Sequence, residues 1–236
     1  STPIKSSAAS DVYKRQDANS VRKVGDEVII NENNVVMCDF RQGDLIPFDI
    51  AIHGALMKSG NDAAAVLALF AADNMSDAVA LMNKEAKSLG ATESNFVNPH
   101  GLYNDNHYTT VYDLYLIFNE AIKYSKFVDT LSCMKYTGSF TRKTAYGDYS
   151  IGCSYTNSNG FLTGSYATPD GIKVYGGKAG YTEVARRSYV MLAESNNGHK
   201  YIIITMRAES NSLMYKDLSA LLNKIPVDKK SYADNE

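Results

Sequence analysis

Two short segments hold the side chains best suited to moving an acyl group, Lys58-Ser59-Gly60-Asn61-Asp62 and Gly177-Lys178-Ala179-Gly180-Tyr181. A hydroxyl, a carboxamide and a fixed cation gathered at one place are supporting groups for nucleophilic acyl transfer, which also needs an activated nucleophile. A serine with a lysine three residues on, SxxK, supplies that pair in one group of serine enzymes. The chain offers formal matches at Ser20-Val-Arg-Lys23 and Ser132-Cys-Met-Lys135, and a threonine version at Thr2-Pro-Ile-Lys5. Each segment also has a plainer reading. Ser-Gly-Asn is a common helix-capping turn, and a lysine on a strand edge is commonly just solvated. Gly176, Gly177 and Gly180 argue against the plain reading of Lys178, because small residues there permit close backbone approach by a ligand.

The elements that must position these groups are legible in part. Glu27-Val-Ile-Ile and Asn34-Val-Val-Met-Cys38 are short strand-like runs, and Gly43-Asp-Leu-Ile-Pro47 punctuates the approach to a helix over about 48–57. Ser59-Gly60-Asn61 interrupts helical composition that resumes from Asp62 to Ala72, which places the motif on a turn between two helices. A further helix is expected from a Ser76 cap to Gly90, with Val79, Met82, Ala86 and Leu89 on one stripe. Another begins at Thr110, with Asp113 at capping-box-like spacing, and buries Leu114, Ile117, Phe118, Ala121 and Ile122. Residues 131–170 read as hairpins or a long surface excursion. Ile172–Tyr181, Ser188–Glu194 and Lys200–Arg207 read as strands of an antiparallel sheet, with a helix from Asn211 to Ile225 covering one face.

Bulk composition narrows the classes. The 236 residues suffice for one substantial core, and 44% hydrophobic with 21% charged residues is globular composition. A formal net charge of −2 gives no electrostatic case for nucleic acid or an anionic membrane surface. The longest apolar run, Ala63–Ala72, is about half of the roughly 20 residues a membrane-crossing helix requires. Cys38, Cys133 and Cys153 form no CxxC pair and have no histidine at ligand spacing, so neither a metal site nor a disulfide framework is expected. His53 reads as packing and His100 as a structural histidine shaping a cleft wall. The 17 tyrosines read as half-buried amphipathic surface and not as a glycan platform.

Four segments then occur in order: Ser59-Gly-Asn-Asp-Ala-Ala, Phe96-Val-Asn-Pro-His-Gly-Leu102, His107-Tyr-Thr-Thr-Val-Tyr-Asp-Leu114 and Gly176-Gly-Lys-Ala-Gly-Tyr-Thr182. Over residues 24–225 the chain resembles the serine D-alanyl-D-alanine carboxypeptidases, the low-molecular-mass penicillin-binding proteins. The resemblance implies an α/β, β-lactamase/transpeptidase-like fold, an antiparallel sheet flanked by helices. It implies an extracytoplasmic bacterial enzyme that takes the terminal D-alanine from peptidoglycan stem peptides through an acyl-enzyme, binds β-lactam antibiotics and needs no cofactor. By the same resemblance Ser59 relays a proton to the leaving amine and Asn61 holds the substrate amide. Lys178 attracts the terminal carboxylate, Ala179 and Gly180 line the strand beside it, and the Tyr181 N–H forms one arm of an oxyanion hole. Ala179 departs from the pattern: a threonine or serine there gives the carboxylate a hydroxyl, a bond to a charged group worth about 1.5–3 kcal/mol.

In the resembled family the nucleophile opens a long buried apolar helix ahead of the SxN turn. Lys23 runs into strand-like sequence, Ser132 follows the turn and leads into polar Tyr136-Thr-Gly-Ser139, and Thr2 is followed by Pro3 and polar residues, so none of the three matches fits. The expectation is therefore a chain whose nucleophile segment and leading helix are missing, inactive as it stands. Residues 1–16 read as a non-native or disordered leader, their Ser-Ala-Ala-Ser-Asp-Val-Tyr-Lys-Arg-Gln resembling translated sequencing-adapter sequence. Residues 17–226 form the domain and 227–236 a polar tail, with membrane contact only through segments absent here. Two alternatives stand beside this reading: a noncatalytic peptidoglycan-binding relative, and a class A β-lactamase, disfavoured because no ExxLN occurs.

Overall fold

The structure, a computed structural model, describes residues 20–228. Thr2 and the expected leader over 1–16 lie outside them, as does most of the tail.

Two antiparallel sheets share a helical core. The first has order β1-β2-β3-β4, from β1 (Val21–Lys23), β2 (Leu45–Pro47), β3 (Lys135–Thr144) and β4 (Gly147–Thr156). The second has order β5-β6-β7, from β5 (Ile172–Thr182), β6 (Arg186–Ser195) and β7 (Lys200–Ala208). The uncertain stretch after residue 131 is thus a ten-rung hairpin, Lys135 pairing with Thr156 and Thr144 with Gly147. The three late strands fall where alternation placed them.

Helix α1 (Phe48–His53) passes into a π-helical turn over Gly54–Lys58, and α2 (Asn61–Ala68) follows the Ser59-Gly60 break. Every residue of α2 is buried, which is why its composition is small and apolar all round. Helix α3 (Met75–Ser88) is capped by Asn74, whose side chain accepts the Asp77 N–H, and not by the expected Ser76. An asparagine two positions earlier reaches the same orphan donors. Helix α4 (Val111–Ala121) starts at Thr110 as expected, with the Asp113 N–H donated to Thr110 Oγ1. Helix α5 (Ser125–Ser132) lies along β5, and α6 (Asn211–Leu222) covers one face of the second sheet.

Two expected strands are absent. Glu27-Val-Ile-Ile holds a single 3-10 turn over Asp26–Val28, and 34–38 has no regular structure. A strand needs a neighbour to complete its ladder; the N–H groups of Cys38 and Phe40 go instead to the Asp62 carboxylate.

The larger core joins α1, α2 and α5 to Val190 and Leu192 of β6, and a smaller one packs α6 through Met214, Leu218 and Leu222 on Tyr189 and Met191. The second sheet is therefore sandwiched, and one edge of it, β5, borders the helical side.

Candidate active site

Ser59 is built into its position by conflict between two helices. The π turn ends with the Ser59 and Gly60 N–H groups both donated to the Gly54 carbonyl, and Ser59 takes the left-handed conformation at φ 66. That conformation costs a non-glycine residue about 1 kcal/mol and persists only where surroundings impose it. The surroundings here are the irregular segment 36–40. The Val36 carbonyl accepts both the Asn61 backbone N–H (2.9 Å) and Asn61 Nδ2 (3.0 Å). Asp62, with no exposed surface, accepts N–H bonds from Cys38, Phe40 and Ala63 at 2.8–3.1 Å. Burial pushes its carboxyl up, against these N–H groups, which favour the charged form. Cys38 Sγ sits under the turn so closely that a Cβ on Gly54 or Gly60 would meet it at 2.8 and 2.5 Å.

Lys178 arrives from the sheet. It is 4% exposed, and its ammonium donates to Ser59 Oγ at 2.7 Å and to the Ala179 carbonyl at 2.8 Å. Two residues 119 positions apart thereby meet across the junction of helices and sheet. Around them lies a cavity of about 190 Å³ walled by Ser59, Lys178, Ala179, Gly180 and Tyr181, with Thr130 and Leu131 of α5 and Asn157 and Asn159 opposite. A larger hollow of about 620 Å³ between α4, β7 and α6 is lined by Tyr112, Tyr115, Ile202 and Ile204 and gathers no comparable polar groups.

The expected site residues thus converge, with one distinction. Asn61 is buried and is not part of the cavity wall; its Nδ2 is held by the Val36 carbonyl, so the substrate-amide contact expected of it is replaced by a brace behind the Ser59 turn. Neither Ser59 nor Asn61 acts as a side-chain cap of α2, so the helix-capping reading fails.

The glycines need correction. Gly176, at φ 122, could not carry a Cβ because it would press into the Leu131 carbonyl, and one on Gly177 would press into that of Val190. These positions are small to fit the protein's own backbone, not a ligand.

His53 is buried as expected, stacked on Tyr136 with ring centroids 3.8 Å apart and its Nδ1 2.7 Å from the Asp49 carbonyl. His100 is not on the cavity wall; its Nδ1 accepts the Leu102 N–H at 3.3 Å. Of the formal SxxK serines, Ser132 donates to the Val128 carbonyl at 2.8 Å, Ser20 precedes β1, and neither borders the cavity. Among the described residues the cysteines form no disulfide, and no His/Cys/Asp/Glu cluster suits a metal ion.

Sequence reasoning passed over Arg187, Asn157 and Asn159. Asn157 donates to the Leu131 and Cys133 carbonyls and Asn159 to the Tyr189 hydroxyl at 2.7 Å, which fixes the wall facing Lys178. The asparagine pair in Asn157-Ser-Asn-Gly160 was the available signal, masked by its ordinary turn composition.

A serine-and-lysine cleft between a helical region and a sheet edge defines the class to which the comparisons also point. Residues 9–210 match the family model described as D-alanyl-D-alanine carboxypeptidase, and the chain belongs to that family. It is 32% identical over 151 residues to the D-alanyl-D-alanine carboxypeptidase DacF of Bacillus subtilis, covering 63% of this chain and 34% of that protein. It is also 32% identical over 155 residues to DacA of Escherichia coli, covering 61% and 34%. The alignment thus spans about a third of the length of these relatives (34% of each). Among solved structures, the D-alanyl-D-alanine carboxypeptidase of Mycobacterium tuberculosis superposes with TM-score 0.75 at 25% identity, covering 94% of this chain and 79% of that one. A Streptomyces DD-transpeptidase shares the fold at TM-score 0.77 and 22% identity, over 93% and 85%. The mixed α/β architecture with antiparallel sheets is the transpeptidase-like fold of these neighbours.

Proposed function

We propose that the cavity beside Lys178 is the peptide site of a serine-type D-Ala-D-Ala carboxypeptidase domain, and that its ligands are peptidoglycan stem peptides ending in D-Ala-D-Ala and the β-lactams that mimic them. The observation that carries this is the Lys178 Nζ–Ser59 Oγ bond of 2.7 Å. A cation held on a serine hydroxyl favours donation of that hydroxyl's proton and offers a route for it toward a leaving amine. β5 receives the peptide as an added strand, the Tyr181 N–H faces the carbonyl oxygen as it becomes an oxyanion, and Asn61, held on the Val36 carbonyl behind the cavity wall, positions the Ser59 turn.

The nucleophile falls to neither Ser20 nor Ser132, since the first lies at a strand and the second is bonded to a helix carbonyl. The described residues are thus the supporting half of the site, and an extracytoplasmic setting follows from the substrate.

Incubation with benzylpenicillin followed by intact-mass measurement and peptide mapping tests this. The expected result is no covalent adduct at any described serine, with reversible binding of an N-acyl-D-Ala-D-Ala peptide that is lost in Lys178→Met. An adduct mapped to Ser20 or Ser132 would overturn the assignment. Rapid penicillin turnover would favour the β-lactamase reading instead.

A further inference from the structure

Two of the four motif segments, Phe96–Leu102 and His107–Leu114 between α3 and α4, take no part in the preceding chemistry. Their residues help to wall a second cavity. It measures about 360 Å³ and lies between the loop 101–109, the β5–β6 turn and the end of β7. It adjoins the first one along β5, Tyr181 bordering the first and Thr182 the second.

Both walls are fixed without a ligand. In the loop, the Asn95 N–H is donated to the Tyr108 carbonyl at 2.9 Å and the Tyr108 N–H to that of Asn95 at 3.1 Å. Asn98 Oδ1 accepts the Gly101 N–H at 2.6 Å, and its Nδ2 donates to the Leu102 carbonyl at 3.1 Å. A wall already in place spares binding the cost of ordering it. On the sheet, the register pairs Ser188 with Gly180 and Val190 with Lys178, so Ser188 stands on the same face as Lys178.

The groups offered to a ligand are of three kinds. Ser188 is 4% exposed, lines the cavity, and its hydroxyl has no hydrogen-bond partner among the described residues. His107 accepts the Val97 N–H on Nδ1, so its neutral ring carries the proton on Nε2, a buried donor with no partner among the described residues. A buried donor without an acceptor is costly, and a ligand carbonyl recovers that cost. Asp105, which accepts the Tyr103 hydroxyl, and Arg207 line the cavity together. A charge on the ligand would be drawn by one and repelled by the other, so the wall suits a neutral ligand rich in donors and acceptors. Val184 and Met206 add an apolar patch, and Tyr103 and Tyr108 expose 53% and 56% of their surface as amphipathic ring faces. A few placed polar groups on an apolar wall at a junction of regions is the usual make-up of a ligand pocket.

We propose that this cavity is a saccharide subsite for a neutral N-acetylated hexosamine. The acetamide carbonyl accepts from Ser188 and His107, its methyl group rests on Val184 and Met206, the hydroxyls donate to Asp105, and the C–H face of the ring lies on the tyrosines. A hexose without the acetamide leaves both donors unmet. The inference goes beyond the peptide site and does not rest on it, although a polymer whose N-acetylated sugars carry peptide branches would reach both cavities.

Titration calorimetry of the full chain with tri-N-acetylchitotriose and with cellotriose tests this with no peptide present. The wild type is expected to bind the N-acetylated sugar about tenfold or more tightly than cellotriose. Ser188→Ala should weaken chitotriose binding about three- to tenfold, leave cellotriose unchanged and keep the melting temperature. His107→Phe should act alike, and His107→Gln, whose amide can replace both ring nitrogens, should keep more of the affinity. Equal binding of the two sugars by the wild type overturns the proposal, as does failure to bind chitotriose. So does an unchanged chitotriose affinity in Ser188→Ala, and this variant decides the matter on its own strand if His107→Phe does not fold.

Discussion

The two walls of the cleft are held by different means. On the helical side, the Ser59 turn is fixed by side chains reaching backbone: Asp62 to three N–H groups, Asn61 to Val36, and Cys38 beneath the glycines. On the sheet side, Lys178 to Tyr181 are fixed by backbone pairing with β6, and the side chains are left to face a ligand. A wall made of buried side-chain bonds loses stability when one residue changes. A wall made of register tolerates exchange of its outward groups, but not intrusion between its strands.

The greatest loss is expected for Asp62→Ala, which strands three buried N–H donors and should cost about 3–5 kcal/mol in urea unfolding. A cost under about 1 kcal/mol would show that the segment 36–40 does not brace the turn. On the other wall, Gly177→Ala forces a methyl into the Val190 carbonyl and should cost about 2–3 kcal/mol by the same measurement. Lys178→Met sharpens the contrast. Peptide affinity should fall by more than about tenfold while the melting temperature changes by only a few degrees, because the buried ammonium carries its own desolvation cost.

A smaller effect separates pH from packing. Burial holds the His107 imidazole down to a pKa of about 4, against an ordinary 6.5. The ring is neutral in the fold, with Nδ1 accepting the Val97 N–H at 3.2 Å. As pH falls below 6.5 the unfolded chain takes up this proton first, so stability drops between 6.5 and about 4 and then levels. Because the ring is partly exposed, the drop attributable to it is about 1–2 kcal/mol, and it should shrink in His107→Gln across a pH series of thermal melts. Least of all, Thr205 buries a hydroxyl that finds no hydrogen-bond partner among the described residues, and Thr205→Val should be neutral or stabilise by up to about 1 kcal/mol.

Legibility in the sequence followed the same division. The Thr110 cap, the three late strands and the terminal helix were readable because capping and alternation act over a few residues. The Asn34–Cys38 run has strand composition, yet the Cys38 N–H goes to Asp62, 24 residues along the chain, and no local pattern announces that. Gly176 and Gly177 of β5 read toward a ligand in the sequence, whereas their constraint is the Leu131 and Val190 carbonyls. Arg187 was invisible because an arginine at a strand's start is ordinary until the register puts it opposite Tyr181.

By itself the sequence determined the order of the four motif segments, the family they mark and the secondary elements that carry them. Only the tertiary structure decided that Ser59 and Lys178 touch, that Asn61 stands behind the cavity and that Arg187 borders it. Local backbone preferences reach a few residues, whereas a site of this kind is made from contacts between segments more than a hundred residues apart, Ser59 to Lys178 spanning 119. Such contacts exist only once the helical core and the sheet have packed.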